Sequence, residues 1–142
     1  MSVKLFEEYL EEGIAKTQTP DISRSNSLIK EAERSYRILK HFIEVSGVND
    51  DNANHIIKNC YDIIMELIRF KMLREGYGTS GKGAHEAEVS YLRKLQFNHK
   101  EIEFADKLRY YRNGILYYGK NFDSEYANKV LKFLENVYFT IK

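Results

Sequence analysis

The sequence predicts an all-α fold: an up-and-down antiparallel bundle of four to five helices, formed by one domain spanning residues 1–142. Three observations carry this. Apolar residues recur at helical spacing in three long stretches. There is one proline in 142 residues, and few glycines occur before Gly76. No stretch alternates with a period of two for long enough to read as a strand.

The elements follow in order. A short helix over about Val3–Lys16 and a connection to Pro20 form the N-terminal part, residues 1–20. After Ser23-Arg24-Ser25, the stripe Leu28, Ala32, Tyr36, Leu39 and Ile43 predicts a second helix. The break from Gly47 to Asp51 follows, with Asp50 or Asp51 as the N-cap of the next helix. That helix, from about Asp50 to Arg74, carries Ile56, Cys60, Ile63 and Leu67, broadened by Ile57, Ile64 and Ile68. So wide an apolar face belongs at the centre of the bundle. Residues 76–84 form a glycine-rich, mobile connection. Asn98 with Glu101 spells a capping box that opens a helix ending at Gly119. Asp123 or Ser124 then caps a last helix with the stripe Tyr126, Val130, Phe133, Val137 and Ile141.

Composition excludes several function classes. The chain is 43% apolar and 30% charged, the balance of a soluble globular protein. No run of about 18 apolar residues is present to span a membrane, and the first residues lack the apolar core of a signal peptide. The single cysteine, Cys60, has no internal disulfide partner and lies on a core stripe, which suits a cytoplasmic protein. Net charge is +1, but residues 1–68 hold 8 Lys/Arg against 12 Asp/Glu, whereas residues 69–120 hold 11 against 6. A basic middle third suits a phosphate ligand if it clusters in space; otherwise it is a solvated surface.

Two motifs fail on their chemistry. Gly76-Tyr77-Gly78-Thr79-Ser80-Gly81-Lys82-Gly83 nearly spells a phosphate-binding P-loop. Its last position is Gly, where a hydroxyl must hold magnesium, and it follows a helix rather than a strand. What survives is a loop whose amides and Lys82 can meet an anion. His85-Glu86 opens a zinc-protease motif, but Val89 replaces the second ligand. No metal site and no cofactor are implied.

The segment that draws most attention is Arg112-Asn113-Gly114-Ile115-Leu116-Tyr117-Tyr118-Gly119. On a helix, Phe104, Leu108, Tyr111, Ile115 and Tyr118 fall on one stripe, the expected core face. Arg112 lies beside that stripe, where a guanidinium is costly unless it meets a carboxylate, a carbonyl or a phosphate. Arg109, Asn113 and Tyr117 form another row at i, i+4, i+8. Arginine and tyrosine together suit interfaces and nucleotide contacts. The same cluster also reads as core tyrosines around a structural arginine.

An Arg-Asn dipeptide near the end of a late helix, followed by an aromatic pair and Gly, resembles the signature of HEPN domains (higher eukaryote and prokaryote nucleotide-binding). The upstream order resembles small prokaryotic members. A long helix bears Tyr61, then come Leu73-Arg74-Glu75-Gly76-Tyr77, a small-residue loop, His85-Glu86 and Tyr91-Leu92. The similarity covers about residues 25–140. It implies a helical bundle that pairs as a homodimer, with the Arg-Asn helices of two copies lining a shared cleft. Many members are metal-independent endoribonucleases, often toxins, whose motif is Arg, four to six residues, then His.

Carried over residue by residue, Arg112 matches the arginine and Asn113 its neighbour, but Tyr117 stands where the histidine belongs. Histidine, with a pKa near 6.5, suits proton transfer at neutral pH, whereas tyrosine, near 10, does not. Arg112, Asn113 and Tyr117 are therefore the candidate catalytic residues. Arg109, Arg112, Asn113, Tyr117, Tyr118 and Lys82 are the candidates for binding nucleotide or RNA. Arg112 and Tyr117 lie about 140° apart on a helix, so they converge only across a dimer cleft. The expected function is nucleotide or RNA binding with a degenerate ribonuclease motif. The alternatives are an active endoribonuclease, or the HEPN partner of a minimal nucleotidyltransferase in a toxin–antitoxin pair. In some such pairs a tyrosine near the motif receives a nucleotidyl group, a role open to Tyr117 or Tyr118.

Overall fold

Twelve residues of one helix, from Ala53 to Leu73, are buried, and the rest of the molecule is arranged around it. The computed structural model describes residues 3–142; Met1 and Ser2, the first residues of the predicted N-terminal segment, lie outside them. The elements are α1 (Phe6–Glu11), β1 (Ala15–Thr17), α2 (Ile22–Ser46), α3 (Ala53–Glu75), β2 (Tyr77–Thr79), α4 (Ala84–Ser90), a 3-10 turn (Tyr91–Leu95), α5 (His99–Tyr118) and α6 (Ser124–Ile141).

The four long helices α2, α3, α5 and α6 alternate in direction, and side-chain contacts fix the alternation. Arg74, at the end of α3, reaches Ser25 and Asn26 at the start of α2, at 3.2 and 3.0 Å. Lys142 pairs with Glu33, and Lys40 with Glu135, so α6 runs against α2. Asn136 donates to Glu101 at 2.6 Å, so α6 also runs against α5. Arg112, late in α5, meets Asp62, early in α3. The result is the up-and-down bundle expected for helices joined by short connections.

The stripes read from the sequence face inward. Ile56, Ile57, Cys60, Ile63, Ile64, Leu67 and Ile68 of α3 are all 0–1% exposed. Val130, Phe133, Val137 and Ile141 of α6 pack against them, as do Ala32 and Leu39 of α2. Tyr36 stacks on Tyr138 with ring centroids 3.9 Å apart. The α5 capping box is formed, with Asn98 accepting from the Glu101 amide and Glu101 accepting from the Asn98 amide. Asp123 caps α6 and accepts from the Tyr126 amide. At α3 the cap is Asn52 rather than Asp50 or Asp51, because Asp50 instead accepts from the Ser124 amide.

Three expectations are corrected. The N-terminal helix ends at Glu11, and residues 15–17 form β1 instead. β1 pairs antiparallel with β2 in the register Ala15↔Thr79, Lys16↔Gly78, Thr17↔Tyr77. A three-residue strand is too short to show a period, and its partner lies some sixty residues away, so nothing local announces it. The glycine-rich connection is accordingly tied down over its first half rather than free. Gln18 N–H donates to the Gly76 carbonyl, and Ser80 N–H to the Ile14 carbonyl. Gly76 has φ +87°, and a Cβ there would lie 2.8 Å from the backbone oxygen of Gln18, so glycine is required by both conformation and contact. The third correction is α4, a seven-residue helix the stripes did not reveal. Tyr9 of α1 holds it through a 2.5 Å hydrogen bond to Glu86.

No helix among the described residues is long and apolar enough to cross a membrane.

Candidate functional site

The C-terminal half of α5 presents its candidate residues on two different sides. Arg112 faces α3. Its Nη2 donates to Oδ1 of Asp62 at 3.1 Å, and its guanidinium carbon lies 5.5 Å from the centre of the Tyr61 ring. This is the carboxylate that an arginine beside an apolar stripe requires. The pairing is incomplete, however: Nε is buried with no hydrogen-bond partner among the described residues. The side chain keeps 27% of its surface exposed, and Asp62 keeps 56%. Arg109, one turn earlier, is held by Asp106 at 2.9 Å. Burial pushes the Tyr61 hydroxyl up to about 12, against the opposing pull of Arg109. It remains a neutral ring under Arg112, suited to a cation–π contact.

Asn113, Tyr117 and Tyr118 face the other way. With Tyr110, Gly114 and Lys120 they line a cleft of about 260 Å³. Gly119, at φ +63°, reverses the chain after α5, so that its N–H returns to the Gly114 carbonyl. The stem of Lys120 then crosses Gly114, with Cδ 3.5 Å from where a Cβ would stand. Asn54 at the start of α3 clamps this reversal by donating to the Lys120 carbonyl and accepting from the Phe122 amide.

The expected core stripe of α5 is corrected at its end. Leu108 is buried and Phe104, Tyr111 and Ile115 are partly buried, but Tyr118 is 80% exposed. Residues 116–121 are all exposed, so the last turn of α5 has nothing packed over it. Tyr110, Leu116, Tyr117 and Tyr118 are all exposed at this end of the molecule. Tyr111 turns inward instead, its ring centroid 5.0 Å from Phe122 and 5.5 Å from Tyr126.

Lys82 lies elsewhere, exposed in the turn before α4, and lines neither this cleft nor the Arg112 contact. The structure therefore divides the six candidates among three places. Arg109 and Arg112 are on the α3 side, Asn113, Tyr117 and Tyr118 are in the cleft, and Lys82 is on the α4 turn.

A second concavity escaped the sequence reading altogether. β1, β2, α2, α3 and α4 border an open-sided concavity of about 500 Å³ lined by Lys16, Arg24, Arg69, Thr79, Ser80 and Glu88, among others. Glu88 is 5% exposed and accepts from Nε and Nη2 of Arg69 at 2.8 and 3.1 Å. Nδ1 of His85 lies 3.1 Å from the same carboxylate. One signal was present in the sequence: a carboxylate flanked directly by Ala87 and Val89 and followed by Ser90, Tyr91 and Leu92. Without α4 recognised, that signal had no helix on which to act.

Cys60 is fully buried, and burial pushes its thiol far above the ordinary range, which removes it as a nucleophile. No group of three or more His, Cys, Asp or Glu side chains that could hold a metal ion occurs among the described residues. No protein-family model matches the chain, and neither the curated proteins nor the solved structures include a significant match to it.

Proposed function

We propose that this chain is a HEPN-like protein that binds nucleotide or RNA phosphate through the end of α5 and acts as a homodimer. The observation that carries the reading is the unfinished coordination of Arg112. A guanidinium has five N–H donors, and here a single hydrogen bond, to a half-exposed carboxylate, engages it. An arginine held over an aromatic ring with donors to spare is preorganised for a phosphate. The exposed Tyr110, Leu116, Tyr117 and Tyr118 surface supports pairing through the same helix end, since apolar groups so concentrated suit an interface.

Binding is favoured over cleavage by what surrounds Arg112. His55, His85 and His99 contact Asn59, Glu88 and Glu103 respectively, and none pairs with Arg112. None of these three histidines is placed as the base for RNA cleavage at Arg112, and Tyr117 supplied by a second copy is the candidate that the motif offers. The exposure of Tyr117 and Tyr118, 74% and 80%, favours one other reading: their hydroxyls are open to a partner nucleotidyltransferase.

The test is to incubate the purified chain and its Arg112→Ala variant with transfer RNA and a single-stranded oligonucleotide. Anisotropy, gel analysis and light scattering are then read together. The expected result is a dimer that binds intact RNA, more weakly as salt rises, with affinity falling about tenfold in the variant, or about 1.4 kcal/mol. Cleavage lost in the variant would establish the ribonuclease instead. A monomer at micromolar concentration that binds no RNA would overturn the proposal.

A further inference from the structure

The cavity between β1, β2, α2 and α3 shares no lining residue with the cleft at the end of α5. It gathers three cations from three elements: Lys16 from β1, Arg24 from the first turn of α2 and Arg69 from α3. Lys16 and Arg24 have no ion-pair or side-chain hydrogen-bond partner among the described residues. Both are exposed. The acid that lines the cavity, Glu88, is already engaged by Arg69 and His85, so it offers nothing to the other two cations. Glu66, near Arg69 on α3, is not among the lining residues.

Like charges around one concavity repel each other, and the repulsion is relieved when an anion enters. Around these cations stand Thr79 and Ser80 with their hydroxyls and Gln18 with its amide, all hydrogen-bonding groups. The remaining wall is apolar, built from Leu28, Met72 and Leu73. A site with a cationic rim and an apolar wall selects a ligand that is anionic at one end and uncharged along its body. A volume of about 500 Å³ is that of a small-molecule site. A continuous polynucleotide backbone would instead need its cations spread along an open groove.

We infer that this cavity binds a small phosphomonoester of mononucleotide size. The phosphate lies between Lys16 and Arg24, and the uncharged body lies against Leu28 and Met72. Arg69 is the anchor of the site, because Glu88 fixes two of its nitrogens and leaves Nη1 without a partner among the described residues. Opposite charges at hydrogen-bonding distance would give the phosphate the charge-assisted contacts it loses on leaving water.

The experiment is titration of the full chain with the four ribonucleoside 5′-monophosphates, inorganic phosphate and adenosine, followed by calorimetry and ligand-observed NMR. At least one monophosphate is expected to bind with Kd of about 1 mM or tighter, and more tightly than phosphate or adenosine. The Lys16→Ala/Arg24→Ala variant should weaken it at least tenfold, about 1.4 kcal/mol. Both substituted residues are exposed, and Arg24→Gln alone, with circular dichroism, guards against an effect of misfolding. The inference is overturned if no monophosphate binds, if phosphate alone binds as tightly, or if the double variant binds as the parent does. RNA binding at α5 can fail without touching this result.

Discussion

Arg69 donates to both carboxylate oxygens of Glu88, at 2.8 and 3.1 Å, and thereby ties α4 to the C-terminal third of α3. Glu88 keeps only 7% of its side chain in contact with water, while Arg69 keeps 35%. Removing the arginine would leave a buried carboxylate with only the His85 ring beside it, the costly half of such a pair. Arg69→Ala is expected to destabilise the fold by about 3 kcal/mol, near the low end for a buried pair because Arg69 is partly solvated. Replacing both partners, as in Arg69→Met/Glu88→Leu, should recover most of that loss. Urea unfolding of the two variants measures both values. Equal losses in the single and double variants would show that packing around α4, not the ion pair, sets the stability.

The pairing of β1 with β2 predicts a contrast between two neighbouring glycines. A Cβ at Gly76 would stand 2.8 Å from a backbone oxygen in a left-handed conformation, and neither can move without separating the strands. At Gly78 the clash is with Oε1 of Gln18, at 2.4 Å, the far end of a flexible side chain. Gly76→Ala should therefore cost about 2 kcal/mol, and Gly78→Ala markedly less. Thermal unfolding of both variants tests this, and a larger loss at position 78 would contradict the register of the strand pair.

The same segment shows what the sequence conveys and what it does not. Helical stripes are local and repeat over many turns, so Ile56, Cys60, Ile63 and Leu67 reveal their face from spacing alone. Caps are equally local, and Asn98 with Glu101 and Asp123 act where their spacing places them. β1, β2 and α4 depend on contacts made after folding, such as Gln18 with Gly76 and Tyr9 with Glu86, and leave almost no periodic trace. The same reason divides the candidate site. The spacing of Arg112 and Tyr117 on α5 was readable, but only tertiary packing shows that Arg112 turns to Asp62 and that Tyr118 leaves the core. The cavity around Arg69 draws on residues from 16 to 88, and no window of sequence contains it.

Glu66 predicts a pH dependence. Burial first, then the nearby Glu31 and Asp62, raise its pKa above the ordinary 4.5, outweighing Arg69. Between 4.5 and the raised value the folded state binds more protons than the unfolded state, so this group lowers stability as pH rises through that window. The penalty is complete above the folded pKa and absent below 4.5. Glu66→Gln should therefore raise the melting temperature at pH 7 and lose that advantage as pH falls toward 4. A variant less stable than the parent at pH 7 would mean that Glu66 is held chiefly by Arg69.

Asp62 offers the sharpest probe of Arg112. Their contact is single, at 3.1 Å, and Asp62 is more than half exposed, so the pair contributes at most about 1 kcal/mol to stability. Functionally, the carboxylate competes with any phosphate for the same guanidinium. If Arg112 binds phosphate, Asp62→Asn removes that competitor and a negative charge while keeping a side chain that can still accept a hydrogen bond. RNA affinity should rise roughly threefold, a change of less than 1 kcal/mol. Arg112→Ala should do the opposite, and combining the two should give the affinity of Arg112→Ala alone, since the competitor matters only while the guanidinium is present. Anisotropy at two salt concentrations reads these values. A fall in affinity in Asp62→Asn as large as in Arg112→Ala would assign Asp62 to holding the arginine in place rather than to competing with the ligand.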